Sequence, residues 1–380
     1  MKGWLRNQRY INVAMDLSST CDIQCIECFR AVVEPPRAKV GLEQIAKLER
    51  ELFPYINQLA LSCTGEPLYL KNFPAGLEAA KRAGVPFVRI QSNGTHLDEE
   101  RRKMLVDLEL DLIGISLDAA TKDSFEKIRY GAEWDTVIPN IRELVKLRNS
   151  MGRTKPHVAL NFAIMNQNAD EAVEFIHLGK EIGADSISFS HLVLETWEMK
   201  DWSLIYDAPR ANALFARLRE EGPRTGISIS VPDDVPGEIR PFSGELLENP
   251  SYQGRCGAAI EPWAFLLPNG DLYVCQNVRE DGPVGNVFEK PFPEIWYGYA
   301  NQHFRKEALK GNVAGCDQCK IYWWTTDTGN EMSYLAKRLT TVAARDQDQE
   351  WFRASKPGAR AAEPRQELAP LASSVASLRG

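Results

Sequence analysis

No apolar run in this sequence is long enough to cross a bilayer, which takes about 20 residues. The N-terminus, Met1-Lys2-Gly3-Trp4-Leu5-Arg6, lacks the apolar stretch of a signal peptide. No membrane association is therefore expected, and the expected location is cytoplasmic. Positive charge is not in excess. Lys and Arg number 45 against 52 Asp and Glu, a net charge of −7, so no nucleic-acid-binding surface is indicated. No internal repeat is visible, nor a motif for an extra cofactor such as a cobalamin module. An apolar content of 44% and a charged content of 26% are ordinary for a soluble protein. A chain of 380 residues exceeds one small core and suggests about two domains.

What the chain does have is eight cysteines, seven of them in two groups. Cys21, Cys25 and Cys28 form the first, and Cys256, Cys275, Cys316 and Cys319 the second; Cys63 stands alone. In a cytosolic chain such groups favour metal or catalysis over disulfides. The first group has C-x3-C-x2-C spacing, and thiolates so placed can wrap one iron–sulfur cluster from a single loop. A cubane has four irons, so three ligands leave one iron open. A cluster that only carried electrons would want a fourth cysteine, and structural zinc normally takes four protein ligands. The open iron therefore argues for chemistry at the metal.

The hydrophobic pattern surrounds this loop with an alternation. Ile11 to Leu17 reads as a strand leading into it, and Gly41 to Phe53 has helical spacing. Strand-like runs follow at Gln58–Ser62, Phe87–Gln91, Leu112–Leu117, Val158–Met165 and Ser186–Ser190. Helical runs lie between them at Pro74–Ala83, Leu97–Leu108, Val137–Asn149 and Ala169–Ile182, with a further helix over Asp207–Glu221. Continuous apolar strands alternating with amphipathic helices predict a parallel sheet. Gly222-Pro223 breaks the pattern, and a strand-like run at Ile227–Val231 follows. The expected division is residues 1–222, 223–328 and 329–380. The last part holds a helix over Glu331–Ala344 and a disordered tail from Asp346.

The three-cysteine loop, with the aromatic Phe29 after its last cysteine, resembles the signature of the radical S-adenosylmethionine (SAM) enzymes. The resemblance covers roughly residues 10 to 325. It implies an α/β fold: a partial (β/α)6 TIM-like barrel, then a small α+β domain. It also implies that SAM chelates the open iron, and that its reductive cleavage gives a 5′-deoxyadenosyl radical. A reductase such as flavodoxin or ferredoxin is the implied partner. In parallel barrels the functional loops lie at the C-terminal strand ends, and the remaining motifs fall there.

Gly65-Glu66-Pro67 follows the second strand and looks like the family's Gly-Glu-Pro motif, which receives the SAM amino group. Gly permits close backbone approach, Pro fixes the turn, and Glu66 is an acceptor suited to an ammonium. Ser92 and Asn93 precede Gly94 in what is either a tight turn or, by the resemblance, a contact to the SAM ribose. Ser116-Leu117-Asp118, with Arg129 beyond, looks like the pattern that contacts the SAM carboxylate. Arg129 could instead pair with Glu126 or Asp123 on a short helix. Asn161, on an apolar strand, either faces the lumen towards SAM or substrate or satisfies nearby backbone. His191 ends the sixth strand and is a candidate substrate contact at the mouth.

The second cysteine group surrounds a hairpin. Trp263–Leu267 and Leu272–Cys275 flank Asn269-Gly270-Asp271, and Gly270 gives G-x4-C with Cys275. Cys316 and Cys319 form a C-x2-C, and four thiolates can complete a cluster with no open iron or hold zinc. The region resembles the auxiliary-cluster extension called SPASM, in its shortened twitch form. That implies two 4Fe-4S clusters in all.

Only twenty residues precede Cys21, so no peptide-binding domain is expected at that end. In cysteine arrangement the chain looks like the radical SAM aminocyclitol dehydrogenases of antibiotic biosynthesis. That implies an oxidoreductase taking a secondary alcohol of a small polyol, sugar or aminocyclitol to a ketone. The auxiliary cluster would accept the electron, and ammonium groups on the substrate would suit the acidic balance. An epimerase with Cys63 as hydrogen-atom donor is the alternative, and peptide modification comes third. Cys63 could equally be a small buried side chain at a strand end.

Overall fold

A computed structural model describes residues 9–28, 30, 37–192, 197–232, 234–235, 262–275, 282–308 and 313. The alternation expected from the sequence is realised. Strand β1 (Ile11–Met15) leads to α1 (Leu42–Glu51), β2 (Ile56–Ala60), α2 (Phe73–Arg82), β3 (Phe87–Ser92) and α3 (Glu99–Asp107). Then come β4 (Leu112–Ser116), α4 (Lys122–Ile128), α5 (Trp134–Ser150), β5 (His157–Ile164), α6 (Ala172–Ile182), β6 (Ser186–His191), α7 (Ala208–Thr225) and β7 (Ser228–Ser230). All strand neighbours from β1 to β7 are parallel and consecutive, the order of a partial (β/α) barrel. The helix Glu331–Ala344 and the tail from Asp346 lie outside the described residues.

Strand alternation sorts side chains onto two faces. Val13, Met15, Leu59, Val88, Ile90, Ile113, Ile115, Val158, Leu160 and Phe162 are essentially inaccessible and face the helices. The opposite face is polar or small. Its members include Gln58, Arg89, Gln91, Gly114, Ser116, Asn161, Ser188 and Ser190, brought side by side by registers such as Ser116↔Asn161↔Ser188. This inner face lines the lumen.

The break expected at Gly222-Pro223 is instead the last turn of α7, which runs on to Thr225 and ends at Gly226 with φ 71°. Gly222 is a close-packing residue. A Cβ there would come within 2.4 Å of Ile229 Cδ1 on β7.

Strand β8 (Trp263–Leu266) then returns to pair in parallel with β1, Asn12 opposite Trp263. Strands β9 (Asp271–Tyr273) and β10 (Gly285–Asn286) extend the sheet antiparallel, giving the order β10-β9-β8-β1-β2-β3-β4-β5-β6-β7. Two unexpected helices, α8 (Phe292–Trp296) and α9 (Tyr299–Ala308), follow. Phe292, Ile295 and Trp296 join the same hydrophobic core as β1. Among the described residues no helix is long and apolar enough to cross a membrane.

Candidate active site

The site is built at the C-terminal ends of the strands. The loop after β1 carries Cys21, Cys25 and Cys28, all partly buried, and no disulfide joins them. Buried Asp16 starts this loop. It accepts the backbone N–H of Cys63 at 2.6 Å, that of Thr64 at 2.7 Å, and the Thr64 hydroxyl at 2.5 Å. The Gly-Glu-Pro turn is thereby pulled onto the cysteine loop. Thr20 O accepts the Glu66 N–H at 2.9 Å, and Arg30 donates to Thr64 O at 3.0 Å and to Ser19 O. Gly65 sits where the two loops touch. A Cβ there would lie 2.6 Å from Thr20 O and 2.7 Å from Ser18 O. Pro67 begins a short 3-10 turn behind it.

Glu66 is buried and joins β2 to β3. Its carboxylate accepts from Leu68 N at 3.0 Å, Ser92 Oγ at 2.8 Å and Asn93 N at 2.7 Å. Burial pushes its carboxyl up to about 7, with the bonds from Asn93, Ser92 and Leu68 opposing that rise. Asn93 Nδ2 reaches Asp22 Oδ1 at 2.8 Å. Asp22 Oδ2 accepts from Thr95 Oγ1 at 2.8 Å and lies 3.0 Å from His96 Nε2. The residue after Cys21 is thus held by the loop after β3.

Arg129 caps α4 and turns back into the cysteine loop. Its Nη1 donates to Glu27 Oε1 at 2.9 Å and to Asp118 Oδ2 at 3.1 Å. Neither Glu126 nor Asp123 is its partner; Glu126 accepts from Trp134 N at 3.1 Å. Asp118 has φ 59° and also accepts from Ala163 N at 2.6 Å. Ser116 Oγ accepts from Gln91 Nε2 at 2.7 Å. Asn161 Nδ2 is buried and has no partner.

His191 does not project into the lumen. It packs edge-on against Phe215 of α7, ring centroids 5.2 Å apart, and burial lowers its pKa to about 4. Cys63 is exposed at the mouth. Cys275 is partly buried beside Phe304, Ala308 and Val313. Phe29, Cys256, Cys316 and Cys319 lie outside the described residues.

The donor set fits an iron–sulfur cluster in kind. Three soft thiols leave one short loop, and burial raises the pKa of all three, so their thiolates need a strong cationic partner. Among the described residues no three His, Cys, Asp or Glu side chains converge as a ready ligand set. The loop therefore has the chemistry of a ligand set without its convergence.

Sequence reasoning passed over Asp16, Asp22 and Glu27. The available signal was position: an acid at a strand end, and two acids among the cysteines.

The radical SAM superfamily domain matches residues 15–179, and an iron–sulfur cluster-binding domain of the SPASM type matches 256–320. The tungsten-containing aldehyde ferredoxin oxidoreductase cofactor-modifying protein of Pyrococcus furiosus is 25% identical, covering 84% of this chain and 92% of its own. The Fe-coproporphyrin III synthase of Methanosarcina barkeri is 26% identical, covering 84% and 82%. Among solved structures, anSMEcpe with bound AdoMet superposes with a TM-score of 0.59 at 18% identity, covering 90% of this chain and 94% of that one. Streptococcus suis SuiB bound to S-adenosylmethionine gives 0.58 at 15%, covering 78% and 68%. At such identities the structural likeness speaks for the fold.

Proposed function

This chain is a radical SAM protein with a C-terminal SPASM iron–sulfur domain, and we propose that it oxidises a secondary alcohol of a small polyol, sugar or aminocyclitol to a ketone. The observation that carries the reading is the polar lumen. Gln58, Gln91, Ser116, Asn161, Ser188 and Ser190 face inward beneath the cysteine loop, a lining suited to a hydroxyl-rich molecule.

Cys21, Cys25 and Cys28 would hold the first 4Fe-4S cluster. The chemistry supplied there, when loaded, is one-electron reduction of SAM to a carbon-centred radical that takes a hydrogen atom. The chain's own residues do the positioning. Asp16, Gly65 and Glu66 lock the cysteine loop to β2 and β3. Ser92 and Asn93 fix that junction, and Ser116 and Asn161 are proposed to orient the bound molecules from the lumen. Asn161 Nδ2 and Arg129 Nε are buried donors still to be satisfied there. The reading includes a second cluster, on Cys275 with Cys256, Cys316 and Cys319, as acceptor of the second electron.

Anaerobic turnover followed by mass spectrometry tests it. Loss of two mass units from the substrate is the expected result. No mass change in water, with deuterium uptake in heavy water, favours epimerisation. The exposure of Cys63 at the mouth is what supports that second reading. A folded Cys275→Ala protein should still cleave SAM yet form little ketone. Ketone formation at the parental rate without the second cluster would overturn the mechanism.

A further inference from the structure

We propose that Arg89 forms an anion-binding subsite in the lumen, taking a carboxylate or phosphate of the substrate. The inference rests on the lumen being the substrate chamber, as argued above. It turns the substrate class from an amine to an acid.

The position follows from the pleat. Val88 and Ile90 are buried under the helices, so Arg89 between them points inward. In register it stands between Ala60 of β2 and Leu112 of β4, and Ala14 of β1 lies beyond Ala60. The two alanines leave space around a long side chain. Its guanidinium has no hydrogen bond or ion pair among the described residues, and the side chain is open to solvent in the lumen. A guanidinium stays charged through any ordinary pH, so this is an unpaired cation that a ligand entering the lumen can reach.

Among the described residues the acids at the mouth are turned to other groups, Glu27 to Arg129 and Asp22 to Asn93 and Thr95. Asp16 is held by Cys63 and Thr64, Glu66 by Leu68, Ser92 and Asn93, and Asp118 by Arg129 and Ala163. A second unsatisfied donor lies on the same inner face, further towards the mouth. Gln91, two residues on from Arg89, is opposite Gly114, and a Cβ on Gly114 would lie 2.4 Å from Gln91 Oε1 and 2.8 Å from Asn161 Nδ2. Glycine there leaves room for both amides, and Asn161 Nδ2 is a buried donor with no acceptor. A guanidinium and an amide N–H, both unpaired on one inner face, call for a ligand rich in acceptor oxygens. An ammonium-bearing substrate would meet like charge at Arg89.

The test is anaerobic equilibrium dialysis of the cluster-loaded protein with SAM, against glucuronate, gluconate and glucose 6-phosphate. Myo-inositol and glucosamine are the neutral and cationic controls. At least one acid should bind, with an affinity that falls with salt, and the controls should not. Carboxylate binding without phosphate binding, or the reverse, names the source of the anion. Arg89→Met should weaken acid binding about tenfold or more while SAM affinity stays within about twofold, and Arg89→Lys should fall between. The melting temperature of each variant without ligand checks the fold. If no acid binds, or Arg89→Met binds acid like the parent, the proposal fails. Loss of SAM affinity in Arg89→Met also overturns it, by giving Arg89 to the SAM carboxylate. An acid that binds through Arg89 but is not oxidised on turnover sinks the dehydrogenase reading and leaves the subsite standing.

Discussion

Arg129 reaches across the barrel mouth to Glu27, Nη1 to Oε1 2.9 Å, and Glu27 stands between Cys25 and Cys28. The same Nη1 holds Asp118 at the end of β4. One guanidinium therefore bonds two carboxylates from separate segments, and it links the cysteine loop to the wall of the barrel.

Removing that cation should leave two buried acids facing each other. Arg129→Ala is expected to cost about 3 kcal/mol or more of stability, in line with breaking a buried ion pair from one side. Denaturant unfolding measures it, and iron retention reports on the loop. Arg129→Lys should recover part of the loss. Stability equal to the parent would mean that Glu27 and Asp118 find other partners.

The triple variant Cys21→Ala, Cys25→Ala, Cys28→Ala tests the cluster assignment directly. With two clusters filled the protein should hold about eight irons, and the variant should hold about half and cleave no SAM. Full iron content in the variant would defeat the assignment.

Gly65→Ala probes the contact between loops. The new methyl would press on the Thr20 and Ser18 carbonyls, which are backbone and cannot swing aside. A loss of about 1–3 kcal/mol is expected, with weaker SAM binding. Isothermal titration with SAM and a thermal melt would measure the two effects, and parental values in both would show the loops to be loosely packed.

The acid side of the stability profile should carry the mark of His191. Its folded pKa is lowered to about 4 by burial, so between about 4 and 6.5 the unfolded chain binds the extra proton. That contribution is fully present above pH 6.5 and is lost as pH falls towards 4, by roughly 3 kcal/mol at most. Buried Glu66, pushed up to about 7, acts in the opposite sense, which is why a difference is needed. His191→Gln should flatten the profile relative to the parent over pH 4 to 6.5. Identical slopes would mean that the imidazole is solvated.

The strand and helix pattern was readable because each strand's outer face is apolar and its neighbours are sequential. Ser186–His191, for example, differs from the expected Ser186–Ser190 by one residue. Gly222 was misread because a glycine that lets a helix approach a strand looks, in sequence, like one that ends a helix. The motif residues were legible as a set, but their bonds were not. Glu66 bonds to residues at the end of β3 and just beyond it that no local spacing identifies, and one partner of Arg129, Glu27, is 102 residues away. Arg89 was invisible for another reason. One charged residue in an inward-facing series looks like any exposed arginine until the register shows which face it is on.

The pairing of β1 with β8 also fixes an order of events in time. The strand that launches the cysteine loop gains β2 early, but its other partner, Trp263–Leu266, is made only after β2 to β7. Until then β1 presents an open edge, able to pair with another chain. Closing so distant a contact is entropically slow. A chain stopped before Pro262 should therefore scatter light on refolding where the whole chain stays clear. The hairpin is, in this sense, the last stave of the barrel: Ala264, fully buried in register with Val13, arrives only after β1 to β7 are made.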